Sequence, residues 1–304
     1  GESVWLGFFL ADVLEKSIEL AQWAGDTERT AGYPKRLEQL KRDLEQAGWD
    51  GAWYRRAYND EGRPLGSRES DACRIDCLSQ AWAVLSGVAP PDRGQAALNA
   101  ALGELWDREA GILALLTPPF GQEGDAAGYI QGYLPGIREN GGQYTHGAAW
   151  MAAALAKAGR GEDAESLWNQ LLPLSHSMTP ADAQLYQGEP YAVAADIYTH
   201  PQHKGRAGWT WYTGSAAWLY VVALEHILGI RVRGGMLTVS PCIPPSWDGF
   251  TVRLPVEDCY VTITVENPHH VTRGVQTQEA DGRAVAPGPI SLAPPPSQVR
   301  IMMG

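Results

Sequence analysis

Along the first 230 positions apolar residues recur at helical spacing, in two alternating styles. Segment 3–24 is apolar on almost every side (Val4, Trp5, Leu6, Phe8, Phe9, Leu10, Val13, Leu14), which predicts a helix buried all round. Segment 33–47 carries Tyr33, Leu37, Leu40, Leu44 and Ala47 on one stripe, with Lys35, Arg36, Glu38, Lys41, Arg42 and Glu45 elsewhere. That pattern predicts a one-sided outer helix. An apolar stretch follows at 70–86 and ends at Gly87; after Pro90-Pro91 an Ala/Leu-striped helix is predicted near 94–106. Segment 144–158 is rich in Ala, Trp and Met, turns at Gly159 and Gly161, and returns as the polar-faced "EDAESLWNQLL". A last inner helix covers about 213–228. Buried helices alternating with one-sided ones, through unequal loops and with no fixed repeat, suit concentric helix layers in an α/α toroid.

After "ILGIRVRGG" the period changes to two: "MLTVSPCIP", "FTVRLPV", "YVTITVEN" and "VRIMM" alternate apolar and polar between Pro, Gly and Asp. The expected organisation is a helical domain over 1–230 and a small antiparallel β domain over 231–304. Two connections, 107–143 and 174–212, exceed the roughly 12–15 residues beyond which a loop in a compact domain usually carries function.

At 304 residues, with 44% hydrophobic and 19% charged, the chain has a globular composition. A net charge of −11 argues against nucleic acid as a partner, yet leaves room for a local cationic pocket that takes a small anion. No apolar run is long enough to span a bilayer, and the first residues lack a basic segment ahead of an apolar one. A soluble, cytoplasmic chain is expected. Cys73 and Cys77 stand at helical spacing with no second pair to complete a zinc site, so the four cysteines are read as buried free thiols.

The chemistry gathers where the long loops enter inner helices. One delivers Arg138, Glu139, Asn140, Gly141, Gly142, Thr145 and His146 ahead of "GAAWMAAALA"; the other delivers Trp209, Thr210, Trp211, Thr213, Gly214 and Ser215 ahead of "AAWLYVVAL". Helix N-termini offer free N–H groups and partial positive charge; Gly admits close backbone approach, hydroxyls add donors, and His or Arg adds charge. An anion site is one reading and ordinary capping the other. Trp and Tyr beside Glu, Asn and Asp suit a sugar, with flat faces against C–H groups and carboxylates accepting from hydroxyls. Trp5, Trp82, Trp106 and Trp218 read as core; Trp209 and Trp211, in a Gly-rich loop, as site candidates. Asp71, Asp76 and Asp196 either line a cavity or cap and bond locally.

The blocks "WYRRAYNDEGRPLGSRESDACRIDCLSQAWAVLSG", "GYIQGYLPGIRENGGQYTHGAAW", "GEPYAVAADIY" and "GWTWYTGSAAWLY" resemble, in order, the glycoside hydrolase family 94 phosphorylases. That family includes cellobiose and chitobiose phosphorylases and the C-terminal domain of cyclic β-1,2-glucan synthases. The resemblance implies the C-terminal part of an (α/α)6 barrel followed by the small β domain. It implies inverting phosphorolysis of a β-linked gluco-oligosaccharide to α-glucose 1-phosphate, with inorganic phosphate as co-substrate and no cofactor or metal. By position, His146, Thr213 and Gly214 fall where the family binds phosphate, and Arg138 where it contacts phosphate or acceptor. Glu139 falls at the donor-sugar position, with Asn140, Trp209 and Trp211 as further sugar contacts. The family's general acid is an Asp in a Trp-Asn-Asp-Gly motif placed before "GESVWL", so no catalytic acid is expected within these residues. Ala195, where cellobiose phosphorylases carry Gln, leans towards the β-1,2-glucan branch. The missing N-terminal part of the protein, or a second chain, is then expected to cover the apolar flanks of the end helices, with a homodimer as one form. The rival readings are a toroid-fold hydrolase or transglycosylase, and a non-catalytic glycan-binding or assembly fragment.

Overall fold

The computed structural model describes residues 1–121 and 127–304; part of the 107–143 connection, at 122–126, lies outside them. Eight α-helices occur among the described residues: α1 Val4–Trp23, α2 Thr27–Asp43, α3 Cys77–Leu85, α4 Pro91–Leu105, α5 Thr145–Lys157, α6 Gly161–Gln170, α7 Pro180–Tyr186 and α8 Thr213–Val221. A π-helical turn extends α2 over Leu44–Gly48, and another extends α8 over Val222–Ile227. No helix of the described residues is long and apolar enough to cross a membrane. By contacts the chain divides into two units, one of Gly1–Ala154 with Asn169–Trp218, the other of Leu155–Trp168 with Leu219–Gly304.

In the first unit, Asp26 starts α2 by accepting from the Arg29 N–H at 3.0 Å, and Lys41 and Arg42 lie in its last turn, where the helix dipole favours cations. Val4, Phe8, Leu37, Leu44, Tyr54, Trp82 and Ala97 form the core that joins these helices. The expectation that α1 is buried all round is corrected: only Val4, Phe8, Ala11 and Ala21 are buried. Leu6, Leu10, Val13, Leu20 and Trp23 stay exposed, because α1 packs on α2 and α3 along one side only. The apolar stretch predicted at 70–86 becomes helical only at Cys77. Cys73 sits at φ +48°, and Asp76 caps the helix by accepting from the Leu78 and Ser79 N–H groups at 2.9 and 3.3 Å. Asp76 also pairs with Arg56 and is fully buried, so it holds the fold together; Asp71 is exposed. The 174–212 connection contains α7, closed at its start by a Thr179–Asp182 capping box.

α5 is buried along most of its length: Ala148, Ala149, Met151, Ala152, Ala153 and Ala154 are all 2% exposed or less. Small side chains let neighbours approach the helix closely on every side, which is how an alanine-rich segment becomes an inner helix. Trp150 is the large exception. Its ring lies 5.9 Å from Trp5, 5.3 Å from Trp82 and 5.8 Å from Trp218, so a tryptophan cluster forms the floor beneath the start of the helix.

The second unit holds strands β1 Ile230–Arg233, β2 Met236–Val239, β3 Gly249–Val256, β4 Cys259–Glu266, β5 Thr277–Ala280, β6 Arg283–Val285, β7 Ile290–Ser291 and β8 Gln298–Met302. They form a three-stranded sheet in order β1-β2-β7 and a five-stranded sheet in order β3-β4-β8-β5-β6. All pairs are antiparallel except β4 with β8, which run parallel from Thr262↔Gln298 to Glu266↔Met302, a departure from the wholly antiparallel expectation. Val261, Ile263, Val265, Val299 and Ile301 alternate onto the buried face at period two. Of the four free cysteines, Cys73, Cys77 and Cys242 are buried, whereas Cys259 is exposed at the end of a strand hairpin, contrary to the buried reading.

His226, in the π-helical turn of this unit, has a buried Nδ1 with no partner. Burial, with Arg231, Lys157 and Arg233 adding to it, pushes its pKa down to about 4 from 6.5. The unfolded chain binds a proton at the ordinary value and the folded one does not, so stability is present above pH 6.5 and lost as pH falls towards 4. The expected loss is about 3 kcal/mol. Urea melts at pH 7 and pH 4.5 should show it, and His226→Gln should flatten that part of the pH dependence.

Candidate functional site: two helix starts and the loops that reach them

The window "GIRENGGQYTHG" is a tight turn. Gly136 N–H donates to the Asn140 carbonyl at 2.7 Å, Asn140 N–H to Ile137 at 3.1 Å, and Gly142 N–H to Arg138 at 3.1 Å. The glycine pair is required for two different reasons. Gly141 takes φ +88°, and a Cβ on Gly142 would stand 2.8 Å from the Arg138 carbonyl oxygen. Asn140, expected among the sugar contacts, is fully buried inside this loop. Its carbonyl accepts from Phe120 N–H at 2.8 Å, and its amide donates to the Phe120 and Tyr133 carbonyls at 3.0 and 2.9 Å. It holds the loop from within.

The chain then pairs Gln143-Tyr144 with Asp196-Ile197 and enters α5 at Thr145, whose N–H donates to the Ala195 carbonyl at 2.9 Å. His146 is therefore on the first turn of α5. Thr213 and Gly214 are on the first turn of α8, and both are exposed. The two helix starts meet: a Cβ placed on Gly214 would lie 3.8 Å from Cε1 and 3.9 Å from Nδ1 of His146. The imidazole also rests 4.5 Å from the Trp150 ring and stacks at 6.4 Å on Tyr144. This apolar bed excludes water and lowers the His146 pKa below its usual 6.5.

Around that meeting point several buried polar atoms have no hydrogen-bond partner: Glu139 Oε2, Thr145 Oγ1, His146 Nε2, Asp196 Oδ1 and Ser215 Oγ. Buried polar atoms are as a rule paired, and these five lie on the two helix starts and the segments that lead into them. Thr145 and Ser215, two of the hydroxyl residues that the sequence places at these helix starts, are buried. In sequence each reads as an ordinary residue at a helix start. Tyr144 and Tyr212 belong to the same neighbourhood, since burial and their mutual hydrogen bond raise the Tyr144 pKa.

Arg138 stands at φ +50°, its guanidinium 5.7 Å from the Tyr133 ring and 5.9 Å from that of Trp209. Trp209 thus joins the Arg138 side of the site. Trp211, at φ +62° and 63% exposed, turns elsewhere: its indole donates to Glu189 at 3.2 Å and its ring meets Tyr191 at 5.9 Å. His146, Gly214 and the start of α8 are brought together, and Glu139, Arg138 and Trp209 gather around the adjoining turn. Trp211 with Tyr191 makes a separate exposed aromatic pair.

Two helix starts thus bring an imidazole, hydroxyls and an exposed glycine together, with a carboxylate and aromatic rings on the adjoining turn. Residues 1–229 match the catalytic domain of the glycosyl hydrolase 94 superfamily, and the chain belongs to that family. Residues 230–280 match the C-terminal domain of glycosyl hydrolase family 65. The chain is 47% identical over 265 residues to the cyclic beta-(1,2)-glucan synthase NdvB of Rhizobium meliloti (strain 1021), covering 87% of this chain and 9% of that protein. It is 32% identical to the solabiose phosphorylase of Paenibacillus borealis, covering 94% of this chain and 37% of that enzyme. It is also 32% identical to the N,N'-diacetylchitobiose phosphorylase of Vibrio furnissii, over 100% of this chain and 38% of the enzyme. The chain therefore spans well under half the length of the curated relatives it matches.

Proposed function

We propose that this chain is the C-terminal segment of an inverting β-glucoside phosphorylase, its helices forming part of an (α/α)6 barrel over 1–230 and its strands a β domain over 231–304. The observation that carries the reading is the meeting of His146 with Gly214 at two helix starts, ringed by buried polar atoms that lack partners. Phosphate occupies the anion position, held by His146, Thr213 and the Gly214 N–H, with Arg138 near it. Glu139 and Trp209 grip the sugar, and Trp211 with Tyr191 offers an outlying stacking surface. One phosphate oxygen bonds to the anomeric carbon as the glycosidic C–O bond breaks, and the departing oxygen takes a proton from an acid supplied by another part of the protein. The product is α-hexose 1-phosphate. The identity to a cyclic glucan synthase, together with Ala195, supports a β-1,2-linked glucan as substrate. The open face of α1 is where the N-terminal part of the protein, or a second chain, packs; a cytoplasmic setting suits the phosphate demand.

The test uses the full-length protein with β-linked gluco-oligosaccharides, with and without inorganic phosphate. Release of hexose 1-phosphate only when phosphate is present supports the reading. Sugar release at equal rate without phosphate identifies a hydrolase and overturns it.

A pH dependence follows. His146 is neutral in the empty site because burial lowers its pKa, and a bound phosphate dianion favours the protonated ring. Phosphate binding then takes up a proton. Above the second ionisation of phosphate, where the free anion is already the dianion, the KM for phosphate should rise with pH by up to about tenfold per unit until the bound-state pKa of His146 is passed. Phosphate saturation curves from pH 7 to pH 9 measure it, and His146→Gln should remove the slope.

A further inference from the structure

Asp196 is the buried carboxylate of the first unit that phosphate and sugar contacts leave unexplained. It is 1% exposed and sits opposite Tyr144 in the short strand pair that leads into α5. One oxygen, Oδ2, accepts from the Arg138 backbone N–H at 3.1 Å. Arg138 is the residue held in the left-handed region, a conformation that is unfavourable for a non-glycine residue and persists only where surroundings fix it. The other oxygen, Oδ1, faces the second loop. A Cβ at Gly208 would stand 2.2 Å from it, so only glycine leaves the carboxylate its place. Gly208 has an ordinary φ, and its requirement is one of space alone. The backbone on either side is closed as well: Gly208 N–H donates to the Asp196 carbonyl at 2.8 Å and Ala195 N–H to the Trp209 carbonyl at 2.6 Å.

One carboxylate therefore stands between the turn that carries Arg138 and Glu139 and the loop that carries Trp209. We propose that Asp196 is a positioning residue of the sugar and phosphate site: its Oδ2 fixes the left-handed Arg138 backbone, and Gly208 provides the space that lets it do so. The inference rests on the function proposed above and adds a residue pair to it. With the bond in place, the Arg138 guanidinium is held between the Tyr133 and Trp209 rings, and Glu139 follows at a fixed angle. Without it the turn relaxes out of the left-handed region and both side chains leave their positions. Desolvation raises the Asp196 pKa, against the pull of the Arg138 N–H, which agrees with a role in accepting a hydrogen bond and gives no need for a full charge.

The experiment compares Asp196→Ala, Asp196→Asn and Gly208→Ala with wild type in the full-length protein. Asn keeps the accepting oxygen, so its KM values for phosphate and sugar should stay within about threefold of wild type. Ala, and Gly208→Ala by displacing the carboxylate, should raise those KM values about tenfold or more, because groups moved by about an ångström lose much of their effect. Hydrogen exchange across residues 134–142 gives a readout independent of turnover. The Arg138 amide should exchange about tenfold faster in Asp196→Ala and Gly208→Ala, and at the wild-type rate in Asp196→Asn. Unchanged exchange at Arg138 in Asp196→Ala overturns the proposal, as does an Asn variant as impaired as Ala. Should wild type show no phosphorolysis, the functional reading falls, and the exchange comparison alone still decides whether Asp196 fixes this turn.

Discussion

Replacing His146 by alanine is expected to raise the KM for phosphate and to lower phosphorolysis by about 100-fold, with little change in melting temperature. The size comes from the bond lost: a hydrogen bond to a charged group contributes roughly 1.5–3 kcal/mol, or one to two powers of ten, and the vacated space admits water that competes with the remaining donors. The small effect on stability has its own reason. Nε2 of His146 is buried without a partner, so the folded protein gives up no hydrogen bond there when the ring is removed. The ring packs on Trp150, with Tyr144 and Trp218 beside it, and the tryptophan cluster beneath is tied to Trp5 and Trp82 independently. Phosphate saturation curves at constant sugar check the expectation. An unchanged phosphate KM would place the anion somewhere else.

Asn140→Ala is expected to do the opposite, lowering stability by about 3 kcal/mol and abolishing activity as a consequence. The side chain is fully buried and makes three bonds to backbone atoms of Phe120 and Tyr133. Each group left unpaired in a dry interior costs about 1–3 kcal/mol, partly recovered where the loop can relax towards water. Asn140→Asp should be no better, since it sets a carboxylate oxygen against the two carbonyls that now receive N–H donors. Thermal melts and hydrogen exchange across 133–142 measure both variants. A fully stable Asn140→Ala with altered sugar affinity would return Asn140 to the sugar contacts.

The alternation of helix styles was legible because periodicity records which side of a helix is apolar. α4, α5 and α6 begin and end within about three residues of their expected bounds for that reason. What periodicity does not record is what lies against an apolar side. α1 looks buried in sequence, yet Leu6, Leu10 and Trp23 are open among the described residues. The pairing of His146 with Gly214 was within reach because both sit on the first turn of a helix, where polar and glycine residues precede an apolar run. The expectation that α8 is an inner helix is corrected: Tyr220 is exposed, as are Thr213, Gly214 and Ala217, and only Ser215 and Leu219 of this helix are buried. The role of Asn140 was not, because an amide in a glycine-rich loop reads the same whether it faces a ligand or its own backbone. Asp196 was similarly ambiguous. Only the Arg138 conformation and the empty space at Gly208, both properties of the folded backbone, give it a role. α7 was missed because seven residues give too little periodicity to stand out from a long loop, although its capping box was present in the sequence.

The central claim is that a phosphate is held where the starts of α5 and α8 meet. Its most direct test is a diffraction map of the full-length protein equilibrated with inorganic phosphate at several concentrations. The account predicts tetrahedral density within hydrogen-bond reach of His146 Nε2, the Thr213 hydroxyl and the Gly214 N–H, half-occupied at the concentration that half-saturates the reaction. Phosphate bound elsewhere at that concentration, with those three groups facing only solvent, would contradict it.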